Sequence, residues 1–367
     1  MLIARREQLV MSVSTETQRN SSFLKCFCRL LSLFIIFSHS TFSSFAECTV
    51  PPFHPVILPA GSFTDMYTAS VSADDGTFVQ VQTTITNIGP GGPNGTIRLL
   101  AILPGGISWK TSNYYGRDKW HTEESPGSAL VIGPCRLACT NDSTRITMAL
   151  KGGDVDIMTD VVPTPVKVPL IDVTVTAPSP EDSIGKFFEH LVLIHGANAN
   201  MTLTIPGSAP RTIQGCRLML EHSRSVGAAP EVSRGIILFR GLMDGESVLA
   251  QFRIPVKKNA SPAGWIWKGG DAAPVAVNNV KVTSVIDTID GKPTETTFYS
   301  APNDQWTIRA ENQLFRYSFI DDLGPILGNL TKLLVGNPAT FYYKSGLTWT
   351  SDTKRSAHGI LEFFRVK

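Results

Sequence analysis

Short runs of alternating apolar and polar residues, broken by glycine, proline, asparagine or aspartate, recur from residue 77 to the C-terminus. Successive side chains of a strand point to opposite faces, so a period of two marks strands with one face buried. Thr77 to Ile85 is the clearest case: Val79, Val81, Thr83 and Ile85 fall on one face, and Gln80, Gln82 and Thr84 on the other. Ile97 to Leu103, Thr144 to Leu150, His190 to His195, Arg217 to Glu221, Ser247 to Ile254, Trp306 to Ala310 and Gly359 to Val366 continue the series. Turn signals at roughly 8–12-residue spacing predict an all-β sandwich or barrel. Only Phe319 to Leu334 has a helical pattern, and Gly324-Pro325 interrupts it. No βαβ rhythm, Gly-x-Gly-x-x-Gly loop or phosphate-cradling Gly-x-x-x-x-Gly-Lys is present, which argues against nucleotide chemistry.

The 367 residues suffice for two domains, and 42% hydrophobic against 17% charged residues gives them material for cores. A net charge of +2, with no basic run interleaved with aromatics, argues against nucleic acid as a partner. Residues 1–46 read as a targeting segment: Lys25 and Arg29, an apolar run from Leu30 to Phe37, then Ser44-Phe45-Ala46 before a cut at Glu47. The run is short for a bilayer span, so the expectation is a secreted or secretory-lumen protein with no stable membrane span after cleavage; the alternative is an uncleaved anchor. The remaining chain divides into an N-terminal β-domain, 47–232, and a C-terminal β-barrel domain, 233–367. An outer-membrane barrel would also alternate, but no paired aromatic girdles flank the strands.

Cys48, Cys135, Cys139 and Cys216 remain after such a cut, an even number that permits disulfides without fixing their connectivity. Asn94, Asn141, Asn200, Asn259 and Asn329 head Asn-x-Ser/Thr sequons. The histidines stand at no metal-ligand spacing, and neither Gly-x-Ser-x-Gly nor His-Glu-x-x-His occurs, so no metal or cofactor is expected. His190 and His195, five apart on one strand, are expected on opposite faces.

Four segments carry the chemistry-bearing residues. Phe63 to Gly76 holds Asp65 and Tyr67 before an Asp-Asp-Gly turn. Gly215 to Ser225 ends an apolar strand with Glu221-His222. Arg240 to Ser247 is a hairpin with an Asp244-Gly245 turn, and the C-terminus reads His358-Gly359-Ile360-Leu361-Glu362-Phe363-Phe364-Arg365. In this order the four resemble the lipocalin-like superfamily of carotenoid 1,2-hydratases, tocopherol cyclases and fungal Diels–Alderases, with the Glu-Phe-Phe ending closest to the Diels–Alderases. The resemblance spans most of residues 60–367. One departure matters: where that group has Trp-Tyr-Phe-Asp, this chain has Met66-Tyr67-Thr68-Ala69, with Asp65 the nearby carboxylate.

The resemblance implies two packed lipocalin-like β-domains enclosing an apolar cavity. It also implies a cofactor-free [4+2] cyclase acting on a hydrophobic polyketide or polyketide–amino-acid intermediate. Such a reaction asks the protein to fold a polyene and to donate a hydrogen bond at a developing charge. His222 and Arg240 are the expected donors, with Glu221 orienting His222. Asp65, Tyr67, Trp109, Trp120, His121, Trp265 and Trp267 are the expected walls and polar anchors of the substrate site. The pocket is expected between the two domains. A non-catalytic lipid or isoprenoid carrier and a terpenoid hydratase or isomerase are the alternatives on the same fold.

Overall fold

The computed structural model describes residues 53–88, 91–106, 108–124, 127–140, 142–150, 153–168, 187–227, 233–256, 260–284, 293–318, 320, 338–351 and 353–365. The expected targeting segment 1–46, Cys48, the sequons at Asn141, Asn259 and Asn329, and most of the helical-looking stretch 319–334 lie outside them.

Twelve strands form the first sheet: β1 (Phe63–Ser72), β2 (Phe78–Thr86), β3 (Asn94–Ile102), β4 (Ser108–Tyr115), β5 (Trp120–Glu123), β6 (Ser128–Ile132), β7 (Cys135–Cys139), β8 (Thr144–Leu150), β9 (Gly153–Thr159), β10 (Val166–Lys167), β11 (Phe187–Thr204) and β12 (Arg211–Val226). They run in the order β4-β3-β2-β1-β12-β11-β9-β8-β7-β6-β5, with β10 paired to β11. The sheet curls until its ends approach: Trp120 Nε1 on β5 donates to the Pro93 carbonyl beside β3 at 2.9 Å. Eight further strands close a barrel in chain order: β13 (Gly235–Met243), β14 (Glu246–Ile254), β15 (Ala263–Lys268), β16 (Val275–Ser284), β17 (Pro293–Ala301), β18 (Asp304–Tyr317), β19 (Ala339–Thr350) and β20 (Lys354–Arg365). The chain is thus nearly all β, as the alternation predicts, in two barrel-like domains.

Alternation sorts each strand between two environments. On β1 and β2, Tyr67, Ala69, Val71, Val79, Val81 and Ile85 line the interior of the first domain. The intervening Gln80 on β2 and Arg98 on β3 instead bond to residues of the barrel. In the barrel, Ile237, Phe239, Phe252, Ile266, Phe298, Trp306, Phe341 and Phe363 fill the interior. Leu249, Trp265 and Trp267 alternate with these and pack with Val168, Val192 and Met219 of the first domain. The two domains therefore share an apolar seam.

Local sequence explains the tight connections. Asp244 and Gly245, both at positive φ (53° and 78°), make the two-residue β13–β14 turn, the arrangement that Asp-Gly favours because both central residues must be left-handed. Gly359 stands opposite Gly241 in the β13–β20 ladder, and a side chain there would run into the Arg240 carbonyl.

Two strands run longer than the expected ones. His190 to His195 is part of the 18-residue β11, and Trp306 to Ala310 is part of the 14-residue β18. Register shifts in the β11–β12 and β18–β19 ladders absorb the irregular stretches without ending the strands. A shift between Val192 and Ile194 also corrects the expectation for the histidines: His190 meets Trp265 and His195 stacks on Trp267, so both face the barrel.

Cys135, Cys139 and Cys216 are buried, and no disulfide joins any two of them. Asn94 is buried, which removes it as a glycan acceptor, whereas Asn200 is exposed.

Candidate functional site

His222 and Asp65 come together although 157 positions separate them in the chain. Strands β1 and β12 pair antiparallel with Tyr67 opposite His222 and Asp65 opposite Arg224. His222 Nε2 lies 2.8 Å from Asp65 Oδ1, and its ring stacks on Tyr67 with centroids 4.2 Å apart and planes within 1°. Asp65 is fully buried and Tyr67 nearly so, while His222 keeps 12% of its side chain accessible. Beside them Arg224 Nε donates to Glu189 Oε2 at 3.0 Å. Burial, and after it the Asp65 carboxylate, push the Tyr67 phenol well above its usual range, so it stays protonated and able to donate. The arrangement can hold one imidazole in a fixed orientation by a buried carboxylate, at the interior surface of the first domain.

Two more buried polar atoms share this region. Asp65 Oδ2 and Thr83 Oγ1 have no hydrogen-bond partner, and Thr83 stands opposite Tyr67 on β2. An ionised carboxylate oxygen buried without a donor is costly. This is the signature of a place built to receive a donor.

Glu221 and Arg240 are elsewhere, which corrects the expectation that Glu221 orients His222. Adjacent strand residues face opposite ways, so Glu221 points at the barrel. There its Oε1 accepts from Arg240 Nε at 2.7 Å, and its Oε2 lies 3.1 Å from His190 Nε2. Arg240 Nη1 also donates to Glu362 Oε1, which accepts from Gln80 Nε2 at 2.5 Å. Arg98 extends the chain of contacts, donating to Gln80 Oε1 at 3.3 Å and to the Tyr342 hydroxyl at 2.7 Å. Burial opposes the charge of Glu221, but Arg240 and His190 outweigh it and hold its pKa at about 2. Burial likewise opposes the charge of Arg240, and its two carboxylate partners raise its pKa further above the usual value. These are the polar ties of the domain seam.

The other expected residues disperse. Trp265 and Trp267 are buried in the seam, Trp265 edge-on to His190 and Trp267 stacked 4.4 Å from His195. Trp120 is buried in the first domain's core, and Trp109 packs against that core. His121 is exposed beside Glu123 at 3.5 Å. An open cleft of about 430 Å³ does lie at the domain junction, but turn residues such as Asp74, Gly105 and Asp244, with Phe78, His358 and Ile360, line it, and none of the ten expected site residues does. The sequence reading missed Thr83 as a site residue, although its place on the apolar face of Thr77–Ile85 marks it as a polar side chain turned inward. Among the described residues no group of three or more His, Cys, Asp or Glu is placed to hold a metal ion, and no helix is long and apolar enough to cross a membrane.

No family model matches the chain, and no curated protein matches it in sequence. Solved structures do match in fold. CghA, in a crystal structure with Sch210972, is 12% identical with a TM-score of 0.58, over 88% of this chain and 97% of that one; a second CghA structure gives 0.57. Kievitone hydratase from Nectria haematococca is 9% identical with a TM-score of 0.53, over 86% of this chain and 94% of the other. The chain therefore has the lipocalin-like two-domain fold of these proteins.

Proposed function

We propose that the chain is a cofactor-free cyclase that binds a hydrophobic polyketide or polyketide–amino-acid intermediate in its first domain and promotes a [4+2] cycloaddition. The observation that carries this reading is the buried Asp65–His222 contact stacked under Tyr67. His222 gives its Nε2–H to Asp65 and, when its second nitrogen also carries a proton, gives Nδ1–H to the dienophile carbonyl, while Tyr67 forms an apolar wall with a protonated hydroxyl. A pre-aimed donor in a water-poor site lowers the barrier as charge develops, and a shaped apolar surface restricts the folds of the polyene. The likeness in fold to CghA with Sch210972 supports a small-molecule site on this architecture. The segment 1–46 directs the chain to the secretory route in this reading.

The same contact favours a second reading. An imidazole held by a buried carboxylate suits proton transfer, as a terpenoid hydratase or isomerase would need, and one of the matching folds is a hydratase. The deciding experiment feeds linear polyene intermediates to the purified protein and separates the products. Cyclised diastereomers in a biased ratio, formed faster than in buffer, support the cyclase. Hydrated or double-bond-shifted products move the assignment to the second reading. Tight binding with no product leaves a carrier.

A further inference from the structure

The segment before β1 crosses the first domain as a strap, residues 53–62, without joining the sheet. Phe53 is fully buried in the first domain's core and meets Tyr67 edge-on, with centroids 5.6 Å apart. Solvent reaches the strap on one side, with His54 40% exposed and Val56 53% exposed, while Pro55 is buried and Ile57 packs against the core. Among the described residues, no main-chain to main-chain hydrogen bond engages 53–59. The strap's polar ties are few. Asn87 Nδ2 donates to the Leu58 and Ala60 carbonyls at 2.7 and 2.8 Å, and Ser62 Oγ accepts from Gly227 N at 3.0 Å. A buried aromatic ring on a weakly bonded segment is the kind of element that opens locally without global unfolding.

The ring's surroundings point to what replaces it. Phe53 touches the same Tyr67 that stacks on His222. On the strands around Tyr67, Asp65 Oδ2 and Thr83 Oγ1 are buried and without partners. Phenylalanine offers them nothing. A ligand with a hydroxyl or amide N–H beside a compact apolar group would fill the space of the ring and give the carboxylate its missing donor.

We propose that Phe53 is a resident plug in the ligand's own place, and that the ligand combines an aromatic or similarly compact apolar group with a hydrogen-bond donor aimed at Asp65. The inference rests on reading Asp65, Tyr67 and His222 as the functional site.

The test uses 4-ethylphenol as probe and 4-ethyltoluene as its donorless counterpart, with the whole chain. Removing the competing ring in Phe53→Ala is expected to tighten 4-ethylphenol binding by at least about tenfold, with 4-ethyltoluene binding more weakly. A Phe53→Ala protein with native near-UV circular dichroism that binds 4-ethylphenol no better than the parent overturns the plug. Equal affinity for both probes overturns the ligand class. Should Phe53→Ala fail to fold, hydrogen exchange of the parent chain decides. Amides of 53–62 exchanging well before those of β1, and faster still with 4-ethylphenol, support the strap as a gate; exchange only together with β1 overturns it. Gained phenol affinity alongside turnover that His222→Ala leaves untouched would keep the plug and overturn the reading of the catalytic site.

Discussion

Glu221 and His222 are consecutive in the chain but belong to different structures: Glu221 bonds Arg240 of the barrel at 2.7 Å, and His222 contacts Asp65 on the opposite face of the sheet at 2.8 Å. One residue of strand thus separates the tie between the domains from the candidate chemistry. Substitutions at the two positions are expected to fail in different ways.

Arg240→Leu should destabilise the protein by about 3–5 kcal/mol, because it leaves Glu221 and Glu362 as buried charges without their cation. Arg240 is almost wholly buried, so solvent offers little compensation. Urea unfolding followed by fluorescence measures this. A variant as stable as the parent would mean that the network contributes nothing net to holding the domains together.

Trp267→Ala should cost about 3–5 kcal/mol through the cavity it opens in the seam, since Trp267 packs among Leu249, Trp265, Val192 and Met219 and stacks on His195. Any products formed should keep the parent's stereochemistry, because the side chain stands apart from the Asp65–His222 pair. A changed diastereomer ratio in folded protein would return Trp267 to the substrate wall.

Acid should weaken the fold in two stages. Burial lowers the His195 pKa to about 4, with Glu221 and the Trp267 backbone opposing it. The unfolded chain therefore takes up that proton first as the pH falls from about 6.5, and stability declines until about 4, by at most about 3 kcal/mol. Glu221, held at about 2, stabilises fully above the ordinary carboxylate range, and its share is lost as the pH drops from about 4.5 towards 2. Thermal midpoints across pH 2–8 test both stages. His195→Phe, which keeps an aromatic ring against Trp267, should flatten the upper one; an unchanged upper limb would place the titration elsewhere.

The alternation within Thr77–Ile85 shows which side chains turn inward, and the Asp244-Gly245 turn is legible because two left-handed residues are needed there. The partner of His222 is not legible. It depends on the register between strands β1 and β12, and a slip of one residue would exchange every inward side chain for an outward one. Adjacency in sequence suggests Glu221, whereas pleating turns Glu221, like Ser223, to the face opposite His222. The bulge near Val192 has the same effect on His190: counting by twos sends it away from His195, and one extra residue brings both to the barrel. Strand β4 carries no clean apolar alternation because it lies at the sheet's edge and is largely solvated.

Thiol chemistry should be silent in the native state. Burial raises the Cys135 pKa to about 12 and the Cys216 pKa to about 11, so almost no thiolate exists at neutral pH. Iodoacetamide should leave the folded protein unmodified at Cys135 and Cys216, and should alkylate both after denaturation without reductant. Either of them protected in denatured, unreduced protein would reveal a disulfide absent from the folded arrangement.

The candidate site makes its sharpest demand on a pair of variants. If Asp65 acts on the reaction only through His222, it is a positioning residue, and the two substitutions should not add. His222→Ala should slow turnover by roughly ten- to a hundredfold, about 1–3 kcal/mol for one hydrogen bond at a developing charge. At saturating substrate Asp65→Asn should slow it less, since the amide oxygen can still face the ring, and Asp65→Asn combined with His222→Ala should be no slower than His222→Ala alone, the lost acceptor for the ligand's donor showing in KM instead. The pH–rate profile separates the two readings of the site. A cycloaddition needs no obligatory proton transfer, so the parent's rate should show at most a single step, where His222 loses the proton it donates, and His222→Ala should lower the rate, remove that step and leave the product's stereochemistry unchanged. A bell-shaped profile in the parent, lost together with turnover in His222→Ala, would assign the pair to proton transfer and make the protein a hydratase or isomerase. Full additivity in kcat would mean that Asp65 acts on the reaction through the donor it receives at Oδ2 as well as through His222.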